Sequence, residues 1–436
     1  MRQKAFFTCT AIIVGISVLF LAYLALAPYI DHPTRDLSKD IDWSYLNSGL
    51  DKVHSFHDTA RWWTGAWCGE VPFWRPLISY VFWGERLLWP KEFLLPRQII
   101  LVVLHLVFVA MGGYLTWRLT GRRWLAVLSI WLFAGFRPFP ITGFFGYNFA
   151  VYDLLLNPKN VTDPLNGIAM IASLIFLVNG RWLAALALAM VSVGFKETGF
   201  MTWPVALLIM AWKPGAKHHV LHALKRRWLP VLGWTAGFLS LAVVHYLAVG
   251  FGYRMGANAA WLGRAELYFG GPVGRLFVLD DPSPAVVSLL LFLAIIGSRK
   301  LSLLPRFAGI MAALTVGVLV DTRLQHTSWD ASMVRLLTYR LDLKVTLLCL
   351  FWLLVAWEGR YDWRTVGFGL GMSLVSSVPT WFAAQTQEHT RYVSAFFMEM
   401  AVAAVICQNA LAITRARQER KVPNASSASE RMAEPY

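Results

Sequence analysis

Charge is what this chain has least of. Only 15% of its 436 residues are Asp, Glu, Lys or Arg, while 57% are hydrophobic. A soluble fold of this length needs more charge to cover its surface. Cysteine is scarce too, with 4 residues and no CxxC spacing. That argues against a disulfide framework and against a zinc site built from thiolates. No internal repeat and no soluble domain is visible along the chain. Acid is the rarer sign of charge, so the formal net charge reaches +15.

What fills the chain instead is apolar sequence. Runs near 20 residues long recur, each the length that crosses a bilayer as a helix. The reading is an all-α polytopic membrane protein of about twelve spans. They are placed at 5–29, 98–118, 124–143, 164–180, 182–195, 198–212, 229–250, 284–298, 307–321, 343–357, 365–383 and 393–413. The first run is too long for a cleaved signal and is read as an uncleaved span. With the N-terminus in the cytoplasm, the basic excess falls on the inner loops, as the positive-inside rule requires. The positive charge therefore reports membrane orientation, and no nucleic-acid partner is needed to explain it. A transmembrane domain is assigned to residues 1–414. The Ser/Ala-rich stretch 415–436 is read as a disordered cytoplasmic tail.

Loop lengths are unequal. The first outer loop, 30–97, is long and carries both acids and tryptophans. Its end, PLISYVFWGERLLWPKEF over 76–93, reads as a helix lying in the interface with its aromatics and leucines towards lipid. Pro76 suits the first turn of that helix and keeps Arg75 non-helical. Arg75 is then presented at a helix start, where a guanidinium favours phosphate; a lipid-facing anchor explains it equally well.

Other ionisable residues gather at the same outer side. Asp40 and Asp42 follow the first span; such acids suit a general base, a divalent-cation site or plain solvated charge. Glu70 stands five residues before Arg75. Asp163 precedes Pro164 and reads as an N-cap of the fourth span, with a wider role as the alternative. Lys196 and Glu197 stand between two apolar runs, which suggests a cavity or an internal ion pair at a tight turn. Arg391 opens the last span within EHTRY.

The order of these motifs resembles the GT-C superfamily of membrane glycosyltransferases, near the protein O-mannosyltransferase and transmembrane-TPR mannosyltransferase branches. The matching positions are Asp40/Asp42, Trp74-Arg75-Pro76-Leu77, Asp163, Phe195-Lys196-Glu197-Thr198 and Glu388 to Tyr392, chiefly within residues 1–215. Departures are the split Asp-Ile-Asp, Phe136-Arg137-Pro138 where a His-Pro is usual, and His-Thr inserted between Glu388 and Arg391. The resemblance implies a GT-C-like bundle that takes sugar from a polyprenyl-phosphate donor at the non-cytoplasmic face. It implies Asp42 or Asp40 as general base, and Arg75 with Lys196 at the departing phosphate. Glu197, Asp163 and Arg391 join the substrate site, and Trp62 and Trp63 stack on sugar or prenyl groups. A divalent metal on Asp40, Asp42 and Glu70 is compatible with the same set, although some relatives need none. The acceptor is an unidentified glycan or protein hydroxyl. The membrane expected is a bacterial inner membrane, since no eukaryotic retention signal is present. The competing reading is a multi-span transporter or lipid flippase.

Overall fold

The computed structural model describes residues 2–33, 50–66, 73–135, 151, 154–155, 158–211 and 227–250, with scattered positions between 365 and 407. Asp40, Asp42, Glu70 and Arg391 lie outside the described residues, as do the spans expected at 284–298, 307–321 and 343–357 and the tail.

Every bounded element among the described residues is helical. The helices are α1 (Arg2–Asp31), α2 (Phe56–Ala60), α3 (Pro76–Leu88), α4 (Leu95–Thr120), α5 (Arg123–Ala134), α6 (Thr162–Val178), α7 (Trp182–Phe195), α8 (Thr202–Ala211) and α9 (Trp228–Val249). Short 3-10 turns over Arg61–Trp63, Pro158–Val161 and Glu197–Met201 join onto α2, α6 and α8. Among the described residues, Ala5–Asp31, Leu95–Thr120 and Trp228–Val249 are long and apolar enough to cross a membrane. These three helices mark the chain as an integral membrane protein.

Helix α4 is the hub. It packs against α1, α5 and α6, and α6 lies along α7. Gln98 near its start donates to the carbonyl oxygens of Ala25 (3.0 Å) and Leu155 (2.7 Å), tying three segments together. Such bonds matter in an apolar bundle, where an unmet carbonyl is expensive. Gly121, at φ 69°, ends α4 in the left-handed conformation that glycine tolerates, and α5 starts two residues later. Phe108 of α4 joins Phe133, Tyr392 and Phe396 in an aromatic cluster.

Two expected helices end early. The span 124–143 stops as α5 at Ala134, because Gly135 is extended (φ −85°, ψ 143°). Twelve residues rise about 18 Å, short of a bilayer core of about 30 Å. The interfacial helix expected over 76–93 ends at Leu88. Trp89 adopts φ −159°, ψ 156°, the extended backbone that a following proline (Pro90) imposes.

On α3 the leucines Leu87 and Leu88 face outward as expected, but the aromatic Phe82 does not. Ile78, Ser79, Phe82 and Glu85 point inward, whereas Leu87 and Leu88 are exposed. Phe82 meets Trp62 edge-on, with ring centroids 6.0 Å apart, inside a small core that includes Tyr29, Val53 and Leu94. Phe82→Ala is therefore expected to destabilise the protein by about 3–5 kcal/mol. Half-buried Trp83 changed to Ala is expected to cost clearly less. Thermal unfolding in detergent checks the difference.

Candidate functional site

Three chain segments distant in sequence meet where α3 and α6 begin and α7 ends. Arg75 supplies the first cation. It caps the start of α3 with non-helical backbone (φ −133°, ψ 60°), and Pro76 follows in the first turn, as the Arg-Pro order predicts. The guanidinium is buried. Its Nε donates to Glu197 Oε2 at 3.0 Å, across 122 positions of sequence. The carbon of the guanidinium also sits 4.4 Å above the Phe73 ring centre, a cation–π contact.

Lys196 supplies the second cation. It follows the last residue of α7 in extended backbone (φ −159°, ψ 143°). Extended residues send neighbouring side chains to opposite sides. Lys196 thus reaches back to α6, where its ammonium donates to Asp163 Oδ1 at 2.5 Å, while Glu197 turns to Arg75. An ion pair between the adjacent Lys196 and Glu197 was one expectation from sequence; the structure instead pairs each with a distant partner. Burial pulls the Lys196 ammonium below its ordinary value. Asp163 opposes that fall, and the nearby positive charge of Arg75 deepens it.

Asp163 is not the N-cap that its place before Pro164 suggested. The 3-10 turn Pro158–Val161 runs straight into α6, so Thr162 and Asp163 already lie in the first helical turn. The carboxylate is taken by Lys196, and the Thr162 hydroxyl donates to it at 3.4 Å. A carboxylate in the first turn also gains from the positive end of the helix.

Polar groups complete the cluster. Asn166, one turn along α6 from Asp163, donates from Nδ2 to Thr198 Oγ1 at 3.0 Å. Asp163, Asn166, Thr198 and Tyr392 line a crevice of about 10 Å³, room for a single water. Among the described residues, Glu197 Oε1 and Asn166 Oδ1 are buried acceptors without a hydrogen-bond partner. Tyr392 bonds through its hydroxyl to His105 Nδ1 at 2.7 Å. His245 of α9 stands edge-on to Trp74 and Phe200, on the Glu197 side.

The close approach of Glu197–Met201 to the end of α7 needs Gly199. A Cβ there would lie 2.5 Å from backbone atoms of Ser192 and Val193. Gly199→Ala is expected to cost about 1–3 kcal/mol and to loosen Glu197 from Arg75. Gly84→Ala, in an open position of α3, is expected to be neutral or slightly stabilising. Thermal unfolding of the two variants side by side checks this.

The structure therefore brings Arg75, Asp163, Lys196 and Glu197 together. It separates the two tryptophans from one another in character. Trp62 is buried at 5% exposure against Phe82, so its ring is core rather than a stacking platform. Trp63 is 41% exposed, and its indole N–H donates to the Tyr80 hydroxyl at 3.0 Å. Asn166, His105 and His245 were not anticipated. The signal for Asn166 was its i+3 spacing from Asp163 on one helix face. For the histidines it was an ionisable ring within an apolar span. Among the described residues no group of three His, Cys, Asp or Glu side chains forms a metal site. The metal candidates Asp40, Asp42 and Glu70 lie outside those residues.

No protein-family model, curated protein or solved structure matches the chain.

Proposed function

We propose that this chain is a GT-C-like membrane glycosyltransferase of about twelve spans. It passes a sugar from a polyprenyl-phosphate donor to an acceptor hydroxyl at the non-cytoplasmic face of a bacterial inner membrane. One observation carries the reading most. Arg75, Asp163 and the Lys196-Glu197 pair, from three separate motifs, converge in one buried polar cluster at helix ends. Two cations held at fixed positions beside an interfacial helix suit a lipid phosphate. The unmet acceptors Glu197 Oε1 and Asn166 Oδ1 suit sugar hydroxyls, which are donors.

The reaction follows from these groups. The acceptor oxygen forms a bond to the anomeric carbon as the bond from that carbon to the phosphate oxygen breaks. The acceptor proton passes to Asp42 or Asp40, and polyprenyl phosphate leaves with its electron pair. Arg75 and Lys196 stabilise the charge that grows on the leaving phosphate. The four formal charges of Arg75, Lys196, Asp163 and Glu197 cancel. An incoming phosphate must therefore compete with Glu197 for Arg75, which makes Glu197 the group that holds the guanidinium ready.

Transfer of labelled sugar from a panel of polyprenyl-phosphate sugars to lipid and peptide hydroxyl acceptors tests the reading. Wild type is expected to transfer. Asp42→Asn or Asp40→Asn is expected to slow it by about 10²–10⁴-fold, the usual worth of a general base. Equal rates in wild type and both variants would remove the first-loop acids from the chemistry. Vectorial transport without transfer would favour the transporter reading.

A further inference from the structure

A second polar feature lies apart from the Arg75 cluster. The turn between α3 and α4 borders a groove of about 630 Å³, lined in part by Arg86, Leu87, Leu88, Trp89, Lys91 and Arg97. Its level in the membrane follows from the backbone. The Leu94 N–H donates to the Pro33 carbonyl at 2.9 Å, so the end of α1 and the start of α4 are pinned side by side. Both helices are of membrane-crossing length, which puts the groove at the bilayer surface.

Arg97 is the informative residue. It is only 2% exposed. Its Nε donates to Glu85 Oε2 at 3.0 Å, and its Nη1 donates to the Pro90, Lys91 and Phe93 carbonyls at 3.3, 2.6 and 3.2 Å. Its Nη2 is buried without a partner among the described residues, and so is the indole Nε1 of Trp89. Buried donors without acceptors are costly, and the two residues that carry them both line this groove, which points to a ligand that accepts. The charge agrees. Arg86 and Lys91 add two cations at the rim. The acid among the lining residues, Asp51, is half exposed and paired with Lys91 at 3.4 Å, a weak contact. Leu87 and Leu88, 65% and 69% exposed, give the same groove an apolar border.

We infer that this groove binds the phosphate of an anionic phospholipid, taken from the surrounding bilayer. The phosphate oxygens accept from Arg97 Nη2 and Trp89 Nε1, Arg86 and Lys91 supply the attracting charge, and an acyl chain runs beside Leu87 and Leu88. Free phosphate shares the polar part of this chemistry but makes no use of the leucines. The inference uses none of the residues placed in the transfer site, so it stands whether or not the chain is a transferase.

The test uses the full chain in neutral detergent. Retention of phosphatidylglycerol and phosphatidylcholine is measured by native mass spectrometry, with inorganic phosphate as competitor. Phosphatidylglycerol is expected to bind more tightly. The preference is expected to fall about fivefold for each rim cation removed in Arg86→Gln and Lys91→Gln. Trp89→Phe, which keeps the ring and loses the donor, is expected to reduce it as well, with the unfolding temperature in lipid-free detergent unchanged. Equal retention of the two lipids overturns the proposal, as does a preference that survives all three substitutions. Displacement of phosphatidylglycerol by millimolar inorganic phosphate overturns the assignment to a lipid.

Discussion

Arg75→Ala is expected to lower sugar transfer by about 10²–10³-fold, the loss seen when one preorganised donor is removed from a developing oxyanion. On the proposed function, the guanidinium is preorganised before any substrate arrives. Pro76 fixes the backbone that follows, Glu197 holds Nε, and the Phe73 ring lies against the planar face. Removing Arg75 also leaves Glu197 without its cation, so a fall in activity alone would not separate chemistry from folding. The double variant Arg75→Ala with Glu197→Ala separates them, because it removes both charges together. It is expected to regain stability relative to Arg75→Ala and to remain inactive. Recovery of transfer in the double variant would show that Arg75 serves only as the partner of Glu197. Initial rates from polyprenyl-phosphate sugar, measured beside thermal unfolding, give both readouts.

Lys196→Met is expected to lower stability by about 3–5 kcal/mol, as much as Phe82→Ala, because it takes the ammonium away from a buried carboxylate. Lys196 and Asp163 have side chains only 7% and 5% exposed, and they join the end of α7 to the start of α6. Adding Asp163→Asn to the same chain is expected to recover most of that loss, since an amide carries no charge to strand. Denaturant unfolding in detergent reads both. A neutral Lys196→Met would mean that water or another cation already serves Asp163. The pair also joins two shorter apolar helices, Thr162–Val178 and Trp182–Phe195, so its loss is expected to reach the packing of α6 on α7.

The long spans were the legible part of the fold. Leu95–Thr120 and Trp228–Val249 are dominated by apolar residues over a bilayer's length, and that is enough to place them. Helix ends were less legible where one residue decides them. Gly135 turns the chain out of α5 although the apolar run continues, and Pro90 stops α3 through its effect on Trp89. The outward leucines of α3 were legible, but the place of Phe82 was not, because aromatic residues suit both lipid and core. Only the contact with Trp62 shows that Phe82 belongs to the core. At the candidate site, residue types and order marked Arg75, Asp163, Lys196 and Glu197. Their pairing could not be read, because side-chain direction at Lys196 depends on one extended residue and both partners lie far off in sequence. Asp163 shows the same limit: a cap signature is local, whereas the ammonium that takes its carboxylate comes from another helix.

The central claim is that the cluster around Arg75 recognises the phosphate of a polyprenyl lipid. Equilibrium binding of polyprenyl monophosphate and of the corresponding polyprenol to the full chain in nanodiscs tests it most directly, without knowledge of the sugar or the acceptor. Wild type is expected to bind the phosphate at least about tenfold more tightly than the alcohol, from one charge-assisted contact of about 1.5–3 kcal/mol. That preference is expected to collapse in Arg75→Ala and to survive in Arg86→Gln with Lys91→Gln. Equal binding of the two lipids by wild type, or a preference for the phosphate that persists in Arg75→Ala, would contradict the account.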